Sequence, residues 1–153
     1  MIISHKHKFI FIKTQKTAGS SIKLALAKFC DNKDIISSMG DDNYLKKTLG
    51  YRGAQNNYLP YRYYWKRDWY NYLYNGVRYN FTDHMSAKEI KLRFKSEWKD
   101  YYTFCFERNP FDKFISWYYW DGGDKRHGNM TQFIQSGAAS KIKGFELYTD
   151  NSE

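Results

Sequence analysis

Cysteine is scarce in this chain, and the two residues present, Cys30 and Cys105, stand in no Cys-x-x-Cys or Cys/His spacing. That pattern excludes a disulfide framework and a zinc site of the usual spacing. Both cysteines lie in apolar stretches and read as buried small hydrophobes, which fits a reducing compartment. Long apolar runs are missing too: none approaches the roughly 18 residues of a membrane-spanning helix, and no signal-peptide pattern precedes the strand at residues 9–12. The expectation is therefore a soluble, cytoplasmic chain without a membrane segment. Repeats and low-complexity linkers are absent as well. One domain over residues 1–153 is expected, large enough to bury roughly 70% of its unfolded surface.

Acidic residues fall short of basic ones, 16 against 25, which leaves a net charge of +9. Such a balance favours an anionic partner: a nucleotide, a nucleic acid, a polyanionic sugar or a membrane surface. What the chain has in excess is aromatic rings, 20% of all residues, 15 of them Tyr. Their hydroxyls need partners, so many belong at the core boundary or along a cleft. They crowd with cations into residues 44–81, which read as an insert. Within it Asn75-Gly76, between YNYLY and VRYNF, predicts a type I′ hairpin.

Two segments share one design. Phe9–Ile22 reads FIFIKTQKTAGSSI and Tyr102–Trp120 reads YTFCFERNPFDKFISWYYW. Each is an apolar run suited to a buried strand, then a polar turn with a cation, then a helix. The first helix shows Ile22, Ala25, Leu26 and Phe29 at helical spacing; the second shows Phe111, Phe114, Ile115 and Tyr118, with Pro110 at its start. In the first turn, small residues let the backbone approach an anion, and the N–H groups at the helix start point at it. Lys16 adds a point charge, and Thr17, Ser20 and Ser21 add hydroxyls. No glycine stands directly before Lys16, so this is not a Walker A loop and an ATP-type kinase is disfavoured. A Ser/Thr-rich cap with a solvated lysine is the plainer alternative. In the second turn Arg108 and Ser116 lie eight residues apart, two helical turns, so both can face one ligand. A guanidinium fork with a hydroxyl suits a terminal phosphate; a surface pair of Arg108 with Asp112 or Glu107 is the competing reading.

Between the two, Ser86 and Glu89 form a capping box that predicts a helix from Ala87 to about Lys95, with His84 just ahead of it. Asp121–Gly128 reads as a loop, Met130–Gln135 as a short helix capped by Asn129, and the tail from Ser136 as weakly patterned. His5, His7 and His127 fall in polar stretches and carry no assigned role.

Taken together, these motifs resemble the signature of sulfotransferases that use 3′-phosphoadenosine 5′-phosphosulfate (PAPS), in particular the carbohydrate branch containing heparan sulfate 2-O-sulfotransferases. The resemblance covers about residues 8–135. It implies that Lys16, Thr17, Ala18, Gly19, Ser20 and Ser21 bind the 5′-phosphosulfate. Arg108 and Ser116, within R-[ND]-P and the serine that follows, would bind the 3′-phosphate. His84 would be the catalytic base and Lys16 a second catalytic group, with 3′,5′-adenosine bisphosphate as product and no metal. The implied fold is α/β, a P-loop-like three-layer arrangement with a small central parallel sheet flanked by helices. Residues 44–81 would form the acceptor side, for a carbohydrate hydroxyl. Family domains usually continue past the second phosphate motif, so on this comparison the domain is expected to be incomplete at its C-terminus. Gln15 stands where the family often has proline. A basic nucleic-acid- or polyanion-binding module, and a catalytically inactive relative, stay open as alternatives.

Overall fold

The computed structural model describes residues 1–39, 47 and 50–149. Tyr44 and Lys46 of the aromatic insert, the end of the 31–42 loop and the last four residues lie outside them. Four strands form one sheet in the order β3-β1-β2-β4: β1 is Ile2–Ser4, β2 Phe9–Ile12, β3 Ile35–Ile36 and β4 Tyr102–Cys105. The apolar run of β2 alternates across the sheet, as period-two geometry demands. Ile10 and Ile12 join Ile3, Leu59, Ile90 and Phe94 on one face. Phe11 joins Ile2, Ala27 and Ile36 on the other. Both faces are covered, so the run has no polar alternation.

The helices supply the covers. Helix α1 (Gly19–Ala27) packs on the Phe11 face. Helix α3 (Ala87–Arg93) packs on the Ile10 face, and Ser86 caps it by accepting from the Glu89 N–H at 3.3 Å. It ends earlier than the sequence pattern implies: Phe94 turns the chain into a separate α4 (Lys95–Asp100). Helix α5 (Pro110–Trp120) follows β4, capped by Asn109, and packs through Tyr118 on Phe133 of α7 (Met130–Gln135). Asn129 caps α7 as expected, by accepting from the Gln132 N–H. A helical turn, α6 (Asp124–His127), stands inside the expected 121–128 loop, and another, α8 (Phe145–Tyr148), in the tail.

The α/β architecture is the one the motifs imply, with a mixed sheet. Only β2 and β4 pair in parallel, and this places the two strand–turn–helix units side by side. Strand β1 was not anticipated. It turns into β2 through His5–Lys8 without a glycine, because Lys8 itself takes a left-handed φ of 52°. Strand β4 is an edge rather than a buried strand, and Tyr102 is 75% exposed. Cys30 is buried and Cys105 half-buried; both are free thiols. Burial pushes the Cys30 thiol up to about 12.

The expected Asn75-Gly76 hairpin is not formed. Residues Lys66–Asn75 are helix α2, and Gly76, at φ 65°, is its C-terminal cap. Gly76 N–H bonds the Tyr72 carbonyl at 3.2 Å, the 5→1 bond of the αL helix end, and Val77 N–H reaches the Asn71 carbonyl at 3.2 Å. A left-handed glycine serves either structure, and what decides is tertiary. Asp68 caps α2 by accepting from the Trp65 N–H at 2.9 Å and is itself buried against Arg93 of α3 at 2.8 Å. The two readings differ in what they demand of Asn75: a type I′ turn needs positive φ at both residues, the helix end only at Gly76. Gly76→Ala should therefore cost about 1 kcal/mol in urea unfolding, from strained φ alone. Asn75→Ala should be neutral or slightly stabilising; equal losses would restore the hairpin.

Candidate active site

The cleft lies at the C-terminal ends of β2 and β4, where the two turns meet. Four residues after β2 the backbone becomes unusual: Lys16 and Ala18 hold φ values of 58° and 59°. Left-handed residues in such a turn gather N–H groups into an anion-binding concavity. Helix α1 begins at once, and its first N–H groups have no intrahelical acceptor. Thr14 is buried; its hydroxyl donates to the Phe106 carbonyl beyond β4, which locks the first turn to the second. Gly19 is required by close approach: a Cβ there would lie 2.7 Å from Cγ of Lys13.

A cavity of about 590 Å3 follows. From the first turn it is lined by Lys16, Ala18, Gly19, Ser20 and Ser21; from the middle of the chain by His84; from the second unit by Arg108 and Ser116. The parallel pairing of β2 with β4 thus brings these residues to one space. Thr17 is the exception. It is buried, and its hydroxyl lies 2.9 Å from that of Thr14, inside the loop rather than on the cavity wall.

His84 is held in one orientation. Its Nδ1 lies 2.8 Å from the Lys13 carbonyl, which can only accept, so Nδ1 carries the proton and Nε2 keeps its lone pair. Burial lowers the His84 pKa below its ordinary value, favouring the neutral imidazole. Lys16 reaches over the Trp120 ring, 4.9 Å from its centroid. Burial, then the nearby Arg108 charge, lowers the Lys16 pKa. Arg108 stays 42% exposed, with Nε 4.0 Å from Asp112, a loose surface contact worth little.

Four contributors have no assigned role in the sequence reading. Trp117 and Trp120 line the cavity beside Ser116, at helical spacing that was visible in the chain. Lys13 and Asp83 carry no local signal. Lys13 Nζ donates to Ser20 Oγ at 3.0 Å and forms an ion pair with Asp83. Asp83 also takes Lys23 Nζ at 2.5 Å and the Ser37 hydroxyl at 2.8 Å. The Met1 amine lies 3.2 Å from the same carboxylate, and burial pushes that amine down to about 4. Burial alone would raise the Asp83 pKa. The Met1 amine, Lys23 and Lys13 outweigh it and hold the carboxyl well below the usual range. Among the described residues, no three His, Cys, Asp or Glu side chains gather as a metal-binding group, and no helix is long and apolar enough to cross a membrane.

With this geometry in place, comparison with known proteins adds one finding. A model of the sulfotransferase family matches residues 1–136. No curated protein and no solved structure matches the chain.

Removing the Asp83 charge should loosen the whole arrangement. Asp83→Asn removes the carboxylate charge that Lys13 and Lys23 share in a largely buried cluster, a loss of about 3 kcal/mol, or on the order of 10 °C in Tm. Asp83 has a depressed folded pKa, so its stabilisation is full above the unfolded value near 3.9 and disappears as pH falls through the lower folded value. The wild-type Tm should thus drop steeply on acidification below about pH 4, and the variant's much less. Parallel curves for the two proteins would contradict the assignment.

Proposed function

The chain belongs to the sulfotransferase family and is a transferase of sulfuryl groups; from that premise we propose that its donor is PAPS and its acceptor a carbohydrate hydroxyl. The observation that carries this reading is the joint lining of one cavity by Lys16, His84 and Arg108, residues from three distant segments. The donor set suits a nucleotide with two separate phosphates, since each turn supplies its own cation and at least one hydroxyl lining the cavity. The free N–H groups at the start of α1, with Ser20 and Ser21, hold the 5′-phosphosulfate. Arg108 and Ser116 hold the 3′-phosphate.

His84 Nε2 takes the proton from the acceptor hydroxyl as that oxygen attacks sulfur. The new S–O bond forms in line with the one that breaks, and the electron pair leaves with the 5′-phosphate. Lys16 stands to stabilise the charge growing on that leaving oxygen. The products are a sulfate ester and 3′,5′-adenosine bisphosphate, with the proton on His84. The carbohydrate acceptor is supported by the rings left exposed on α2, Trp69, Tyr70 and Tyr74, beside Lys66 and Arg67. Aromatic faces stack on sugars, and the cations suit acidic ones.

Transfer of labelled sulfuryl from PAPS to mixed glycan acceptors tests the reading. His84→Ala should lower kcat by about 10²–10⁴ and Lys16→Ala by about 10²–10³, with the fold intact. Because the base acts when neutral and its pKa is lowered, kcat/KM should hold from neutral pH down past 6.5 before falling. A His84→Ala enzyme with wild-type turnover would remove the histidine from the mechanism.

A further inference from the structure

A larger cavity, about 780 Å3, opens at the other end of the sheet. Its walls include His5, which follows β1, and Lys33, which precedes β3; β1 runs antiparallel to β2, so both belong to the end opposite His84. Strand β2, which runs between the two ends, is four residues long, roughly 13 Å. A volume of this size falls within the range of small-ligand sites.

The cavity is built from a polar segment held in a defined shape. Gln55 Nε2 donates to the Asp34 carbonyl at 2.7 Å, and Asn56 Nδ2 to the same carbonyl at 2.9 Å. Asn56 takes a left-handed φ of 48° to do so. Asn57 accepts from the Ser38 N–H through Oδ1 at 3.2 Å. Among the described residues this leaves Asn57 Nδ2 as a donor and Asn56 Oδ1 as an acceptor without a bond. Arg62 and Arg78 complete the wall, and neither pairs with a carboxylate among the described residues. Each lies on a ring instead: Arg62 over Tyr63 at 4.7 Å, Arg78 over Tyr58 at 4.7 Å. Ile35 and Phe94 give an apolar floor.

From this chemistry we propose a second ligand site, one that takes an acidic sugar carrying a carboxylate or sulfate. Two unpaired guanidinium forks match one or two anionic groups bidentately. The free amide donor and acceptor match ring hydroxyls, and the apolar floor matches the ring face. A stacked nucleobase is a poorer fit, because guanidinium groups already cover Tyr58 and Tyr63. The binding stands apart from the transfer reading. Its use, to hold a chain-like acceptor at a second point, rests on that reading.

The test is titration of the ¹⁵N-labelled full chain with glucuronate, glucose 6-sulfate, neutral glucose, inorganic sulfate and a short oligothymidylate. The two acidic sugars should shift the amides of Asn56, Asn57, Arg62 and Arg78 together. Arg62→Ala and Arg78→Ala should each weaken this by about tenfold, and the Lys replacements by less. Lys16→Ala should leave it unchanged, so failure of the transfer site and failure of this one read differently. Equal response to glucose or to sulfate alone would overturn the proposal. So would preference for the oligonucleotide, insensitivity to both arginines, or no shift at tens of millimolar sugar.

Discussion

The Asp83 carboxylate receives the ammonium groups of Lys13 and Lys23 and the Ser37 hydroxyl, which the chain delivers from the end of β2, from α1 and from the segment after β3. A charge in such a place is costly unless it is paired and fully hydrogen-bonded, so the cluster forms only when every contributing element is docked. Lys13 carries that constraint into the cleft. Its ammonium reaches Asp83 and Ser20, its carbonyl fixes His84 Nδ1, and its methylenes leave room only for glycine at position 19. The orientation of His84 therefore depends on the same contacts that join α1 to the sheet. Packing and chemistry share one set of atoms here.

A second dependence is the parallel pairing of β2 with β4. It aligns two strand–turn–helix units so that their cationic turns open on one space, and the Thr14–Phe106 hydrogen bond holds the turns at that distance. The start of α1 then faces the cavity, and α5 presents Ser116, Trp117 and Trp120 to it. Local geometry shapes the rest of the first turn: left-handed Lys16 and Ala18 bend the chain from β2 into α1, at the expense of conformational strain.

Much of this was legible in the chain because it is written in local patterns. The apolar run of β2, the Ser86 cap of α3, Pro110 at α5 and the Asn129 cap each act within a few residues, and each formed, although Glu89 turns to Tyr79 and Arg93 instead of closing the box on Ser86. Two strand–turn–helix units with a cation in each turn were enough to place Lys16 and Arg108 on one cavity. What could not be read depends on partners far away. Asp83 meets Lys13 and Lys23 across 70 and 60 positions of sequence. Thr17 looked like a ligand donor, yet the buried Thr14 takes its hydroxyl. Asn75-Gly76 failed for the same reason: a left-handed glycine suits a hairpin and a helix end alike, and the Asp68–Arg93 pair between α2 and α3 makes the choice.

The most direct test of the account is the affinity of the chain for 3′,5′-adenosine bisphosphate beside adenosine 5′-monophosphate, measured by thermal shift. Bisphosphate at about 100 times its Kd should add about 2.7 kcal/mol, a rise of several degrees. That rise should exceed the one given by the monophosphate and should fall away in Arg108→Ala. Equal shifts with both nucleotides, or a bisphosphate shift that survives loss of Arg108, would contradict a cleft built for two separate phosphates.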